Sequence, residues 1–447
     1  MTHSSRRTFL RATIAGAGAA FATPLEALLA RVESGRAPDA ALDFGPLGPV
    51  KDEATGLPLL QLPEGFRYVS FGWTGDPLDD GGQTPGAHDG MAAFAQSGPR
   101  VTLVRNHEIT GTRSFAASLT YDPGAGGGTT TLEFDSAAGR WLTARASLGG
   151  TCRNCAGGPT PWGSWLTCEE TLLGPGERSI TRHHGYVFEV PAHGTSSCEP
   201  LVDMGRFVHE AVAVDPATGI VYETEDQRAS GLYRFIPKSP GELAAGGRLE
   251  MLAIAGRQRF DTRTRQPRGA RYAVRWVPID QPNPLRGASV FAQGYSRGGA
   301  IFGRLEGACY DAGKIYVTST SGGNAAMGQV WEVDPAGDEL RLLFESPGAR
   351  VLNMPDNLCA SPRGGLVICE DGTTNPSVHG LTKDGRIFRF ARNNVVLAGE
   401  VRGLKGDFRQ SEFAGATFSP DGQWLFLNVQ SPGVTVAITG PWRDGFI

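Results

Sequence analysis

Lysine is scarce in this 447-residue chain: only five of its 42 basic side chains are Lys, and the rest are Arg. Acidic residues number 46, which leaves a formal net charge of −4. No basic stripe interrupts the mixed-sign sequence, so a global electrostatic case for nucleic-acid binding is excluded. A cation set made of Arg favours planar, bidentate contacts to carboxylate or phosphate. Cysteine is scarce too. Seven Cys are too few for a disulfide scaffold and odd in number, so at least one is free, metal-bound or unpaired. No segment reaches about 18 consecutive apolar residues, so an integral membrane protein is not expected. What is abundant is glycine (62) and proline (30), together roughly a fifth of the chain against an average near 12%. That excludes a long-helix protein and favours many short strands joined by tight turns. The length suffices to bury a large core without disulfides or partners, and a monomer is expected.

The N-terminus carries Ser5-Arg6-Arg7-Thr8-Phe9-Leu10 and then an Ala/Gly-rich apolar stretch from Ala12 to Ala20. The stretch is too short to span a bilayer, and the pattern reads as a twin-arginine export signal. Residues 1–37 are assigned to this signal and a flexible leader, so the export machinery is an expected partner and the periplasm or exterior the expected location. A cofactor loaded before export is a common reason for this route, which directs attention to metal ligands. Residues 38–65, rich in Pro, Gly and Leu, read as an arm, and 66–447 as a single domain.

Within that domain one pattern recurs: an apolar strand, a turn of Asp, Pro and Gly, and a second β-rich strand. Copies begin at Val212, Ala308, Leu358 and Ala416, each with its own turn, such as Asp215-Pro216-Ala217-Thr218-Gly219 and Ser419-Pro420-Asp421-Gly422. Further strands begin just after Gly185, Gly231, Gly328 and Gly385. Diverged repeats of this kind predict an all-β fold, a β-propeller of about six blades with an N-terminal arm and loop insertions. A pair of β-sandwiches is the structural alternative.

In a propeller, residues just before each innermost strand meet at one mouth of the central channel. The repeats are preceded there by His209-Glu210, Arg304-Leu305-Glu306-Gly307, Pro355-Asp356-Asn357 and Phe413-Ala414-Gly415. Three of these four place an acidic residue at an equivalent register. Second strands add Glu223, Glu225 and Asp226, then Glu370 and Asp371, and Asn106-His107-Glu108 follows another strand. Such a concentration of oxygen ligands repels itself unless cations are bound, and calcium suits carboxylates and Asn carbonyls. His107, His209 and His379 read as supporting rather than general-base groups, and His183 and His184 as solvated loop residues.

The most unusual stretch runs from Thr151 to Glu170. Gly157-Gly158-Pro159-Thr160-Pro161 reads as a sharp loop, Trp162 and Trp165 as pocket walls, and Cys168-Glu169-Glu170 as the end of the following strand. Cys152 and Cys155 have a two-residue gap, but no second pair with ligand spacing follows, which argues against a closed structural zinc site. A thiolate beside carboxylates suits a softer or redox-active ion such as iron. A disulfide between Cys152 and Cys155 is the other reading, and spacing alone leaves both open.

Asn154-Cys155-Ala156-Gly157-Gly158, Thr160-Pro161-Trp162-Gly163 and Thr167-Cys168-Glu169-Glu170, with His209-Glu210-Ala211, Arg304, Glu306-Gly307 and Pro355-Asp356-Asn357, together resemble the PhoX family of bacterial alkaline phosphatases. The resemblance runs from about Asn106 to Pro420. It implies a six-bladed propeller whose channel mouth holds iron (Fe3+) and calcium (Ca2+) and hydrolyses phosphate monoesters. Position by position it implies Cys155 as iron ligand, Glu170, Glu210, Glu306 and Asp356 as cluster carboxylates, and Arg304 as the phosphate contact. Arg304, Glu306 and Cys155 are the expected catalytic set, with Glu108, Glu225 and Asn357 as further candidate ligands. Two departures stand out: the chain is shorter than fully developed phosphatases of the family, and Cys152 is an extra thiol. A calcium-dependent lactonase or esterase on the same scaffold, and a non-enzymatic propeller with structural calcium, are the rival readings.

Overall fold

The computed structural model describes residues 43–447 apart from 112, 117 and 373, and the segment read above as an export signal and leader, with the first residues of the expected arm, lies outside the described residues. Short strands dominate, as the glycine and proline content predicts. They assemble into six groups whose innermost strands are His88–Ala95, Asn154–Pro159, His209–Val214, Leu305–Asp311, Pro355–Ala360 and Phe413–Phe418. Each packs on the next, and the sixth returns to the first, so the ring is closed. This is a β-propeller, and the groups are referred to below as blades one to six.

Blade one continues outward through Arg100–His107, Gly127–Asp135 and Arg140–Thr151. Blade two adds only Ser164–Glu169 and Val187–Pro191. Blades three and four share an edge, where Arg271–Pro278 pairs with Glu339–Glu345. Blade six takes its outermost strand from the other end of the domain: Arg67–Phe71 pairs antiparallel with Val434–Thr439. This closure joins the two ends of the domain and covers the edge of Val434–Thr439. Gly48–Val50 and Leu60–Leu62 extend the sheet of blade five by pairing onto Ile387–Asn393.

Between blades, alternating side chains bury flat apolar faces. Leu305, Trp331, Phe302 and Tyr222 form one such layer between blades three and four, all fully or almost fully buried. Burying a Leu or Phe of this kind contributes about 1.5–3 kcal/mol each. The ring is therefore rigid where its innermost strands begin.

The sequence reading of 157–161 is corrected here. Gly157, Gly158 and Pro159 belong to the innermost strand of blade two rather than to a loop. A Cβ at Gly157 would lie 2.0 Å from the Leu166 carbonyl oxygen, and one at Gly158 would lie 2.0 Å from that of Val212. Close backbone approach, not turn formation, explains both glycines.

Candidate metal centre

The second residues of the six innermost strands are, in order round the ring, Asp89, Cys155, Glu210, Glu306, Asp356 and Ala414. Just beyond this position every innermost strand slips register against its neighbour, between His88 and Met91, Asn154 and Gly157, His209 and Val212, Leu305 and Ala308, Pro355 and Leu358, and Ala414 and Thr417. A bulge bends a strand and re-aims a side chain. Repeated in all six blades, it presents one position per blade to the site, and five of the six are metal-ligating types.

In five of the six blades the following residue is small, Gly90, Ala156, Ala211, Gly307 or Gly415, and blade five has Asn357 there. A Cβ on Gly90 would lie 2.6 Å from Ala156 Cα, and one on Gly307 would lie 2.5 Å from the Asp356 carbonyl oxygen. The ligand backbones are then clamped from the preceding blade. Asn106 Nδ2 donates to the Cys155 carbonyl at 2.9 Å and Thr318 Oγ1 to that of Asp356 at 2.7 Å. Thr224 Oγ1 donates to the Glu306 carbonyl and Asn428 Nδ2 to that of Asp89, both at 2.5 Å.

A second ring follows the second strands. The amides of Glu108, Glu170, Asp226, Thr320, Asp371 and Gln430 donate to the carbonyls of Ala87, Arg153, Val208, Arg304, Met354 and Glu412, at 2.8–3.2 Å. Each acceptor stands two residues before its blade's inner-ring residue. Four of these acceptors, Ala87, Arg153, Arg304 and Met354, have φ between +47° and +58°, a region that costs a non-glycine residue energy and clusters at functional sites.

Ligand atoms of three triads gather within 4.8 Å: Asp89, Glu108 and Cys155; Cys155, Glu170 and Glu210; and Glu210, Glu306 and Asp356. The triads share Cys155 and Glu210 and so form one continuous chain of donors. Burial pushes Asp89, Glu210, Glu306 and Asp356 well above the usual carboxylate range, and neighbouring carboxylates reinforce the shift. Glu170 is pushed up to about 9 by burial, against the pull of Arg153. Burial likewise raises the Cys155 thiol, with Asp89 the next contributor. Glu210 Oε1 is buried without a hydrogen-bond partner. An orphaned carboxylate oxygen amid other acids is the donor environment a cation would satisfy.

Two arginines flank this chain. Arg153 Nη2 reaches Glu108 at 2.7 Å and also pairs with Glu170. Arg304 holds Asp226 through Nε and Nη2, and its Nη2 lies 2.5 Å from Glu306 Oε1. In both, no hydrogen bond or ion pair among the described residues takes Nη1. Gln430 Nε2 donates to Glu108 at 2.8 Å and to Asp89 at 3.3 Å.

Of the residues singled out from sequence, Cys155, Glu108, Glu170, Glu210, Glu306 and Asp356 come together in the triads, with Arg304 beside them. Glu225 does not. Its carboxylate accepts from the Gly231 amide at 3.0 Å and the Tyr233 hydroxyl at 2.7 Å, which makes it a loop brace. Asn357 is one residue past the ring position, and its Oδ1 accepts from the Ala416 amide at 3.0 Å. Cys152 and Cys155 are both free thiols; Cys152 packs with Ala125 and Ile180. His184 is not solvated: it is fully buried between Glu169, at 2.6 Å, and Asp122, at 3.3 Å. His379 supports Glu370 at 2.9 Å, and His107 bonds to Gly86 and Thr130. Sequence reasoning missed Asp89, Arg153 and Glu412. Glu412 sits two residues before Ala414, the one inner-ring position without a ligand type.

A model of the family described as alkaline phosphatase PhoX matches residues 42–148 and 143–433. No curated protein matches the chain. Among solved structures, a gluconolactonase from Xanthomonas campestris is similar with a TM-score of 0.44 at 15% identity, over 89% of this chain and 99% of that one. A virginiamycin B lyase from Staphylococcus aureus gives a TM-score of 0.39 at 9% identity, over 84% and 99%.

Proposed function

Because the chain belongs to the alkaline phosphatase PhoX family, we infer that it is an exported, metal-dependent phosphomonoesterase working at the channel mouth. The observation that supports this most is the inner ring: five of six blades offer a ligand type at one bulged position, and they do so between two arginines whose Nη1 groups have no partner among the described residues. The mixed triads around Cys155 suit iron, and the all-oxygen triad of Glu210, Glu306 and Asp356 suits calcium. When bound, such cations supply Lewis acidity toward phosphoryl oxygens and lower the pKa of water.

The chain's own residues do the rest. Arg304, fixed by Asp226 and beside Glu306, keeps Nη1 for a charge-assisted hydrogen bond to a phosphoryl oxygen, which offsets charge developing during transfer. Arg153, braced by Glu108 and Glu170 toward the other end of the donor chain, orients the same group. Water attacks phosphorus, the bond from phosphorus to the ester oxygen breaks, and the leaving alcohol takes a proton. The clamps on the ligand carbonyls keep the donors in place through this step.

The thiol distinguishes this reading from an oxygen-only calcium lactonase, because Cys155 contributes to two of the three triads. Metal content by elemental mass spectrometry, on protein exported through its own twin-arginine pathway and recovered as a monomer from the periplasm or medium, tests the proposal together with a phosphate-ester assay. Iron with calcium and turnover of a phosphomonoester supports it. Calcium alone with lactone hydrolysis would replace it.

A further inference from the structure

Beside the cluster, on the side of Arg304, lies a recess of about 620 Å³ lined by Arg228, Asp261, Arg263, Asn324, Arg304 and Met354, among others. It is a built feature. The segment after blade three's second strand is spliced onto Arg304: Asp226 holds its guanidinium, the Gln227 carbonyl accepts its amide at 2.9 Å, and Ser230 exchanges amide hydrogen bonds with Phe302 at 2.9 and 3.0 Å. The opposite wall is fastened as well. Arg263 makes a bidentate pair with Asp261, at 2.9 and 2.7 Å, and its Nη1 donates to the Arg228 carbonyl at 3.1 Å. The Gly323 amide donates to the Arg263 carbonyl at 2.8 Å, and Asn324 Oδ1 accepts the Arg265 amide at 3.0 Å.

Charge in this recess is not balanced. Arg263 is matched by Asp261, and Arg304 by Asp226 and Glu306. Arg228 is exposed, and among the described residues no ion pair engages it. Its backbone is fixed on both sides while its guanidinium keeps all its donors. A cation anchored by its backbone at the wall of a recess that Arg304 also lines is placed to attract a second negative group on the same molecule.

We propose that this recess is the leaving-group subsite and that Arg228 determines specificity there, favouring phosphomonoesters whose leaving group carries its own anion, a carboxylate or a second phosphoryl group. The proposal rests on the phosphomonoesterase reading for turnover, though not for binding.

Three non-hydrolysable ligands of equal reach separate the two questions: propylphosphonate, 3-phosphonopropionate and ethane-1,2-bisphosphonate, titrated calorimetrically into the metal-replete protein. The wild type is expected to bind one or both anionic-tailed ligands at least tenfold more tightly than propylphosphonate. Whichever ligand shows the larger ratio identifies carboxylate or phosphoryl as the preferred anion. Arg228→Ala is expected to reduce that ratio about tenfold, Arg228→Lys to restore part of it, and Arg268→Ala, an exposed cation outside the recess, to leave it in place. In turnover, the kcat/KM ratio of 3-phosphoglycerate to glycerol 3-phosphate is expected to fall likewise in Arg228→Ala. A binding ratio near one in the wild type, or one that Arg228→Ala leaves unchanged, would overturn the subsite. Absence of turnover with an intact Arg228-dependent binding ratio would sink the phosphatase reading and keep the subsite.

Discussion

Arg304 and Asp226 form a two-point pair across the mouth of the channel, Nε to Oδ1 at 2.9 Å and Nη2 to Oδ2 at 3.0 Å. The pair joins blades three and four and fixes the plane of the guanidinium, so its remaining Nη1 points in one direction. Fixing a fork in this way lowers the entropy lost when it binds an oxyanion.

Replacing the fork should therefore be costly even where the charge is kept. Arg304→Ala is expected to lower kcat/KM for a phosphomonoester by about 10²–10³-fold, in the range seen for loss of one transition-state donor. Arg304→Lys keeps the charge without the two-point grip and is expected to recover about a tenth or less of the wild-type value. Steady-state kinetics on metal-replete protein checks both, and a fully active Lys variant would show that the geometry is irrelevant.

The two neighbouring thiols should behave differently. Cys155 contributes to two donor triads, whereas Cys152 packs with Ala125 and Ile180. Cys155→Ser is expected to lose the softer metal while keeping calcium, and to lose activity with it. Cys152→Ser places a hydroxyl in an apolar niche and is expected to cost about 1–3 kcal/mol of stability, with metal content unchanged. Elemental mass spectrometry and urea denaturation of each variant separate the outcomes. Equal metal loss in both would mean that the pair acts as a unit.

Gly307 tests the bulge. A Cβ there would stand 2.5 Å from the Asp356 carbonyl oxygen, the atom that Thr318 clamps at 2.7 Å. Gly307→Ala is expected to destabilise the fold by about 1–3 kcal/mol, the range for overpacking, and to weaken metal binding because Asp356 must shift. Calcium titration of the variant supplies the readout. Wild-type affinity would mean that the blades part without moving the ligand.

What the sequence revealed followed its turn chemistry. Blades three to six announce themselves through Asp, Pro and Gly turns between apolar strands, and three of them carry Glu210, Glu306 and Asp356 in register. Blades one and two have Gly and Pro turns as well, at Ser97-Gly98-Pro99 and Pro161-Trp162-Gly163, but the strands before them are built from Ala and Gly and do not stand out as apolar β-branched runs. The innermost strand Asn154–Pro159 holds no β-branched or aromatic residue and reads as a loop, although close packing on Leu166 and Val212 makes it a strand. Asp89 went unseen because its strand, His88–Ala95, holds no β-branched residue and so does not stand out in the sequence. Arg153 and Glu412 act from two residues before the ring position, a relation that exists only once the backbone hydrogen bonds of the second ring are known. Glu225 was misplaced for the converse reason: it is close in sequence to Asp226, but strand alternation turns it toward Tyr233.

Removing metal should invert the pH dependence of stability. In the metal-free state, burial holds Asp89, Glu210, Glu306 and Asp356 well above the usual range and Glu170 near about 9, against an ordinary value of 4.5. The folded state then binds more protons than the unfolded chain once the pH exceeds about 4.5, so stability falls as pH rises toward about 9. Bound cations require ionised donors, and their contribution grows as protons leave. Chelator-treated protein is accordingly expected to show a Tm that drops steadily from pH 5 to pH 9, while metal-replete protein holds or gains Tm over the same interval. Thermal melts of both forms in matched buffers decide the matter. Parallel curves would mean that the clustered acids are neutralised by something other than metal.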